Sequence, residues 1–70
     1  PGAAICNAQP VQFYIGQRAD QALGAAILKA SGARSLRWGP PNSVWTMDFR
    51  EDRVNVQYDE RLIITQITCG

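Results

Sequence analysis

The sequence predicts an α+β fold in which a single helix packs on a small mixed sheet, with a long exposed loop at one end. Three observations predict it. Residues 18–31 carry apolar residues at helical spacing, residues 53–58 alternate as a strand does, and residues 62–68 are rich in β-branched residues. A chain of 70 residues has room for one small core. We therefore expect residues 1–70 to form a single domain.

The helix is predicted over residues 18–31. Asp20 falls in the first turn and Lys29 in the last, where their charges suit the two ends of the helix dipole. Gly32 is suited to end the helix in a left-handed conformation. Gly24 lies inside the helix, where glycine costs up to about 1 kcal/mol relative to alanine. The apolar face packs on the core and consists of Ala19, Ala22, Leu23, Ala26, Ile27 and Ala30.

Three strands are expected after the helix. Residues 33–38 predict a short strand with Leu36 and Trp38 on one face. Residues 59–61 predict a tight turn, after which residues 62–68 return as an antiparallel strand. The strand before that turn alternates cleanly, with Val54, Val56 and Tyr58 expected to point inward and Arg53, Asn55 and Gln57 outward.

The N-terminal residues 1–14 are predicted to be a loop, because Gly2, Asn7 and Pro10 interrupt any regular pattern. A cluster of larger side chains at its end is expected to pin this loop to the core: Val11, Phe13, Tyr14 and Ile15.

Residues 39–52 are predicted to form the exposed loop. Its start, Gly39 followed by two prolines, disfavours a helix and a central strand. Apolar side chains nevertheless recur in it at Val44, Trp45, Met47 and Phe49. Exposed apolar groups of this kind usually mark a binding surface. The alternative is an ordinary strand with Trp45 and Phe49 in the core, since short apolar runs are ambiguous.

Composition excludes several classes of function. The net charge is +1, too small a positive field to predict binding to nucleic acid or to an anionic membrane. No apolar run approaches the length of a membrane span. The chain has no histidine, which removes the usual general base, the Ser-His and Cys-His pairs and most zinc sites.

The acidic residues of the loop do not predict catalysis either. Asp48, Glu51 and Asp52 are interleaved with Arg50 and Arg53, which favours ion pairs over a carboxylate cluster. No glycine-rich phosphate loop is present. We expect no enzymatic activity, no metal site and no cofactor.

The two cysteines, Cys6 and Cys69, lie at opposite ends of the sequence. We expect them to form a disulfide, which would stabilise the fold by about 4 kcal/mol through the unfolded state. The alternative is a pair of buried free thiols. A disulfide, together with a chain that starts at Pro1 without methionine, predicts a secreted or periplasmic protein whose signal peptide has been removed.

The loop carries a resemblance to a known family. It resembles the reactive loop of the potato inhibitor I superfamily, which includes the barley chymotrypsin/subtilisin inhibitors and eglin, in the pattern aliphatic-x-Thr-(Met/Leu)-acidic-(aromatic/aliphatic)-Arg-x-x-Arg-Val. The matching residues are Val44-Trp45-Thr46-Met47-Asp48-Phe49-Arg50-Glu51-Asp52-Arg53-Val54.

Further motifs make the chain resemble another group still more closely than the plant inhibitors. This group is the small disulfide-bonded bacterial and fungal elastase-type serine protease inhibitors with the same fold. The motifs are Ile15-Gly16-Gln17, Ser31-Gly32-Ala33-Arg34, Thr46-Met47-Asp48, Asp52-Arg53-Val54-Asn55-Val56 and Cys69-Gly70. The resemblance extends over residues 6–70.

The resemblance implies a substrate-like, standard-mechanism inhibitor of serine endopeptidases of subtilisin, chymotrypsin or elastase type, with a reactive bond between Met47 and Asp48. Met47 would fill the primary pocket, because its long unbranched apolar side chain suits an apolar slot. The reactive-site loop that contacts the protease would comprise Val44, Trp45, Thr46, Met47, Asp48, Phe49 and Arg50. The partner would be a serine endopeptidase, bound by a monomer.

Loop support is also implied by the resemblance. Arg53 and Arg50 would donate charge-assisted hydrogen bonds that hold the loop. Asn55 stands where many plant members carry a second supporting arginine, so support would depend more on Arg53, the proline pair, the disulfide and either Trp38 or Trp45. The alternative function is a non-inhibitory protein-binding module that uses the same exposed loop.

Overall fold

The structure is a computed structural model, and it describes residues 5–43 and 49–70. It confirms the α+β class. In chain order the elements are a 3₁₀ helix (Gln9–Tyr14), helix α1 (Gln21–Ser31) and strands β1 (Ser35–Gly39), β2 (Arg53–Tyr58) and β3 (Ile64–Cys69).

The sheet is mixed and has the order β1-β2-β3. β1 runs parallel to β2, with Ser35 opposite Arg53 and Gly39 opposite Gln57, and β2 runs antiparallel to β3. Because β1 and β2 are parallel, the chain that leaves Gly39 must return along the length of the sheet before it enters β2. The segment 40–52 makes this connection, which is why it is long.

Helix α1 begins three residues later than predicted, at Gln21. Asp20 is not in the first turn but is the N-cap, with extended φ and ψ of −150° and 173°. Its carboxylate accepts a 2.7 Å hydrogen bond from the Leu23 amide, which satisfies one of the unpaired donors at a helix start. The amide of the preceding residue, Ala19, donates to the Leu62 carbonyl at 2.6 Å. The chain just before the helix is therefore bonded to the turn that precedes β3.

The end of α1 is as predicted. Gly32 adopts a left-handed conformation with φ of 76°, and its amide donates to the Lys29 carbonyl at 3.2 Å. A residue with a Cβ is strained at such a φ, which is why glycine suits this position.

The core lies between α1 and one face of the sheet, which we call the helix face. Its buried apolar side chains are Val11, Ile27, Val54, Val56, Ile64 and Ile67, with Cys6 beside them. Trp38 also lies on this face: a Cβ built at Gly24 would meet the Trp38 ring at 2.6 Å. Gly24 therefore has a packing role in addition to its cost in helix propensity.

The opposite face of the sheet is polar. As expected, Arg53 and Asn55 point away from the helix face, since they alternate with Val54 and Val56. They are nevertheless only 8% and 6% exposed. Paired residues on neighbouring strands share a face, so Arg37 and Thr68 lie beside Asn55. We call this the polar face.

The N-terminal segment is more regular than the predicted loop. Residues 9–14 form a 3₁₀ helix with Pro10 in its first turn, a position that suits proline because it lacks an N–H donor. Side chains three residues apart share a side of such a helix, and Val11 and Tyr14 pack on the core. Phe13 and Ile15, also expected to pack there, are 66% and 39% exposed.

The turn before β3 is confirmed, but β3 starts two residues later than predicted. The Asp59 carboxylate accepts hydrogen bonds from the amides of Arg61 and Ile63 at 2.9 and 3.0 Å. Leu62 has a positive φ of 66°, which an extended strand does not allow. Across residues 5–43 and 49–70, no helix has the length and apolar character needed to cross a membrane.

Candidate functional site

The predicted site lies on the connection between β1 and β2. Five of its residues lie outside the described part of the chain: Val44, Trp45, Thr46, Met47 and Asp48. The structure describes the two ends of the connection. We call residues 40–43 the upstream foot and residues 49–53 the downstream foot.

The upstream foot is a tight turn directly after β1. The Ser43 amide donates to the Pro40 carbonyl at 3.2 Å, and Asn42 has a positive φ of 63°. Proline in the second position and a positive φ in the third are the features of a type II turn, which Pro41 and Asn42 supply. Proline fixes its own φ, so the sequence itself restricts this foot.

The downstream foot is held through its main chain by three different parts of the molecule. The Glu51 carbonyl accepts from the Cys6 amide at 2.8 Å, and the Asp52 carbonyl accepts from the Arg34 amide at 2.8 Å. On the other side, the Arg50 amide donates to the main-chain oxygen of Gly70 at 3.2 Å. Main-chain bonds of this kind fix the foot whatever its side chains are.

Arg53 joins the downstream foot to Gly70 through its side chain. Its Nε and Nη2 donate to the Gly70 main-chain oxygen at 3.0 and 2.6 Å. The Gly70 amide in turn donates to the Arg53 carbonyl at 3.0 Å. A hydrogen bond from a charged donor is worth about 1.5–3 kcal/mol, roughly twice a neutral one. Arg53 and Gly70 therefore form the most strongly bonded junction of the described site.

Gly70 is a site residue that the sequence reasoning did not single out. Its φ is 136°, and a Cβ built on it would lie 3.1 Å from two carbons of the Phe49 ring. A side chain here would be strained and would push against Phe49. The signal in the sequence is a glycine directly after Cys69, but the need for a positive φ follows from the fold and not from that dipeptide.

Phe49 and Arg50, the two predicted loop residues that the structure describes, are exposed. Phe49 is 74% exposed although its ring lies against Gly70. The Arg50 side chain pairs with Asp52, with Nε 3.3 Å from Oδ1 and a side-chain exposure of 58%. The expected ion pairing of the loop residues is thus present for this pair, and Arg50 touches Gly70 through its amide.

Asn55 lies on the polar face next to this junction. Its Nδ2 is 4.0 Å from a Cβ built at Gly70. Its Oδ1 is buried and accepts no hydrogen bond from residues 5–43 or 49–70. Trp38, one of two candidates for loop support, lies on the helix face and stacks edge-on against Tyr58 at 5.9 Å. Trp45, the other candidate, lies outside the described residues.

The predicted disulfide is confirmed: Cys6 and Cys69 are bonded, with their Cα atoms 5.7 Å apart. The bond lies at the downstream end of the connection, because Cys6 donates to Glu51 and Cys69 precedes Gly70.

Comparison with known proteins assigns the family. The model of the peptidase inhibitor I78 family matches residues 6–70. The chain belongs to that family. A I78 inhibitor blocks a peptidase, so this chain is an inhibitor and not an enzyme, and its partner is a protease.

Structural comparison agrees with the I78 assignment. The solved structure of the elastase inhibitor AFUEI in crystal form II superposes with a TM-score of 0.70 and 27% sequence identity, covering 84% of this chain and 81% of that one. The expected membership of a small protease-inhibitor family is therefore confirmed, and the fold matches that of an elastase inhibitor. The broader assignment to the potato inhibitor I superfamily is not confirmed by these matches. Among curated proteins, none matches the chain.

No metal chemistry is indicated for this I78 inhibitor within the described residues, which bring together no group of three or more His, Cys, Asp or Glu side chains. What the described geometry offers is a peptide connection with two restricted ends. That arrangement suits the binding of a protease to an extended segment.

Proposed function

We propose that the protein is a substrate-like inhibitor of serine endopeptidases of subtilisin, chymotrypsin or elastase type, with the Met47-Asp48 bond as the reactive bond. The observation that carries the proposal is the fixed downstream foot. Arg50, the third residue after the proposed bond, is tied through its amide to Gly70, and Arg53 is tied there through its guanidinium.

The residues of the loop suit this role. A serine protease binds an extended peptide as an added strand, and alternate side chains enter its pockets. Met47 would occupy the primary pocket, and Val44, Trp45 and Thr46 would contact the subsites before the bond. Asp48, Phe49 and Arg50 would contact the subsites after the bond, and Phe49 is 74% exposed.

The fixed foot supplies a reason for inhibition instead of digestion. In the acylation step the protease serine oxygen bonds to the Met47 carbonyl carbon, the Met47-Asp48 C–N bond breaks, and the Asp48 amine leaves with a proton. The Asp48 nitrogen is two residues from the anchored Arg50 amide, so it stays within about 7 Å of a fixed point. A retained amine attacks the acyl-enzyme again, and religation competes with hydrolysis.

Within this proposal, Arg53 is the main supporting residue and Asn55 a secondary one. Arg50 supports the loop through its amide, while its side chain pairs with Asp52. Preorganisation of this kind raises affinity, because less entropy is lost when the loop binds.

A titration tests the proposal. Subtilisin, chymotrypsin and elastase are each titrated with the wild-type protein, with Met47→Gly and with the control Gln66→Ala, a substitution of an exposed β3 residue. We expect stoichiometric inhibition of at least one enzyme by the wild type and the control, and loss of inhibition in Met47→Gly. Rapid digestion of the wild type by all three enzymes would contradict the proposal.

The position of the reactive bond has a separate test. Met47→Lys changes the residue that would enter the primary pocket, so inhibition should move toward trypsin, whose pocket is acidic. Unchanged selectivity would show that another bond is presented to the protease.

A second candidate function is a non-inhibitory binding module that uses the same loop. The exposed ring of Phe49 favours it, since an exposed aromatic side chain suits any protein partner. Under this reading Met47→Gly leaves partner binding intact.

We also propose that residues 1–70 act as a single monomeric inhibitor domain that is secreted or periplasmic, as the disulfide favours an oxidising compartment.

A further inference from the structure

The disulfide lies next to the downstream foot. The Cys6 amide donates directly to the Glu51 carbonyl at 2.8 Å. The residue after Cys69, Gly70, accepts from the Arg50 amide at 3.2 Å and from the Arg53 guanidinium. The two half-cystines therefore flank the same foot, one on each side, and each is linked to it by hydrogen bonds.

We infer that the Cys6–Cys69 disulfide is a positioning element of the inhibitory site: it holds the downstream foot in place in the folded protein, in addition to restricting the unfolded chain. The inference rests on the proposed function, because it assigns the disulfide to retention of the segment after the reactive bond.

Cys69 is the last residue of β3, but the residues next to the disulfide, 5–7 and Gly70, lie outside regular structure and need such a link. Residues 5–7 lie outside any helix or strand, and Ile5 is 66% exposed. The Asn7 amide bonds to the Ser31 carbonyl at 2.8 Å, and Gly70 lies just beyond the last residue of β3. Segments outside regular structure open locally at low free energy. A covalent bond between Cys6 and Cys69 makes the opening of either segment depend on the other.

Two roles of the disulfide make different predictions for the folded protein. If it acts through the unfolded state alone, its loss lowers the folded fraction and leaves the behaviour of folded molecules unchanged. If it positions the foot, its loss frees Glu51 and Gly70 while the core stays packed. The folded molecules then retain the cleaved segment less well, and the protease hydrolyses them faster.

The first experiment compares the double variant Cys6→Ser/Cys69→Ser with Ile27→Ala, a destabilised control whose substitution lies in the core beneath α1. Both are held at a temperature at which circular dichroism shows them folded, and subtilisin cleavage between Met47 and Asp48 is followed. Loss of one or two hydrogen bonds corresponds to about a tenfold faster cleavage of the double variant. We expect the control to be cleaved at the wild-type rate. Equal rates in both variants would overturn the inference.

A second measurement uses the wild-type chain and no protease. Amide hydrogen exchange is recorded before and after reduction with a thiol-free phosphine, at the amides of Cys6, Arg50 and Gly70 and, as a core reference, at Val56. We expect protection to fall at the first three and to persist at Val56. Retained protection at Arg50 would overturn the inference, because the disulfide would then not hold the foot. Simultaneous loss of protection at Val56 would also overturn it, because the disulfide would then act on the whole fold.

Gly70→Ala tests the last link with the disulfide intact. The new Cβ would meet the Phe49 ring at 3.1 Å, on a residue whose φ of 136° disfavours a side chain. We expect faster cleavage with unchanged exchange at Val56, and wild-type cleavage would count against the inference. If the wild type inhibits no protease but the exchange pattern is found, the proposed function fails and the positioning of the foot stands.

Discussion

The two faces of β2 differ in what they bury. On the helix face, Val54 and Val56 are fully buried against Ile27 and the other apolar core residues. On the polar face, Arg53 and Asn55 are buried to nearly the same extent, at 8% and 6% exposure, next to Gly70. Burial alone therefore does not separate residues that stabilise the fold from residues that organise the site. The chemistry of the buried group does.

This difference implies a division of labour. Burial of apolar surface stabilises the fold without directional demands. A buried guanidinium must find hydrogen-bond acceptors, and where it finds them it fixes geometry. Under the proposed function, substitutions on the helix face should change stability, whereas substitutions on the polar face should change inhibition.

The largest effect is expected for Ile27→Ala on the helix face. Removing a fully buried isoleucine side chain typically costs 2–5 kcal/mol, so we expect a loss of about 3 kcal/mol in the free energy of unfolding, measured in urea. Inhibition by the folded fraction should stay within about twofold of the wild type, since distant sites act nearly additively. A large change in inhibition at full folding would show that the two faces are coupled.

The next effect is expected for Arg53→Ala on the polar face. Its loss removes two charged hydrogen bonds to Gly70, which lowers stability by about 2 kcal/mol. Subtilisin should cleave the variant faster, because the downstream foot becomes mobile. Arg53→Lys is the matched control, because it keeps the charge but not the fork geometry of the guanidinium. Its cleavage rate should lie between those of the wild type and Arg53→Ala. If Arg53→Ala is cleaved as slowly as the wild type, the polar face does not organise the site.

The helix face was largely predictable because its signals are local. The apolar spacing of α1, the left-handed stop at Gly32 and the alternation of β2 each depend on neighbours in sequence. Element starts were less predictable. Asp20 is an N-cap and β3 starts after Leu62. Beside the local bonds of the cap and the turn, the Ala19 amide bonds to the Leu62 carbonyl, and sequence spacing does not reveal a contact between segments this far apart.

The polar face was predictable in composition but not in arrangement. Alternation placed Arg53 and Asn55 on the side away from the helix face, which is correct, but it did not show that the two side chains are buried there. Periodicity predicts on which face of the sheet a side chain lies, but not which residues pack against that face. Arg53 bonds to Gly70, 17 residues later in sequence, and no local pattern marks that contact.

A smaller effect is expected for Gly24→Ala, which tests how tightly the helix face is packed. Alanine is favoured over glycine in a helix by about 1 kcal/mol. The new Cβ would, however, lie 2.6 Å from the Trp38 ring, and overpacking costs about 1–3 kcal/mol. We therefore expect a net loss of about 1 kcal/mol. Ala25→Gly, at an exposed helix position, serves as the propensity control, and a stabilised Gly24→Ala would show that Trp38 has room to move.

The smallest effect is expected for Arg50→Ala, on the same foot as Arg53. Its side chain is 58% exposed and pairs with Asp52 in solvent, so its contribution to the free energy of unfolding should be below about 0.5 kcal/mol. The Arg50 amide, which bonds to Gly70, is retained in alanine. Cleavage by subtilisin should therefore stay near the wild-type rate, in contrast to Arg53→Ala. A variant cleaved as fast as Arg53→Ala would show that the Arg50 guanidinium acts in the complex, and support of the loop would then be divided between a buried and an exposed arginine.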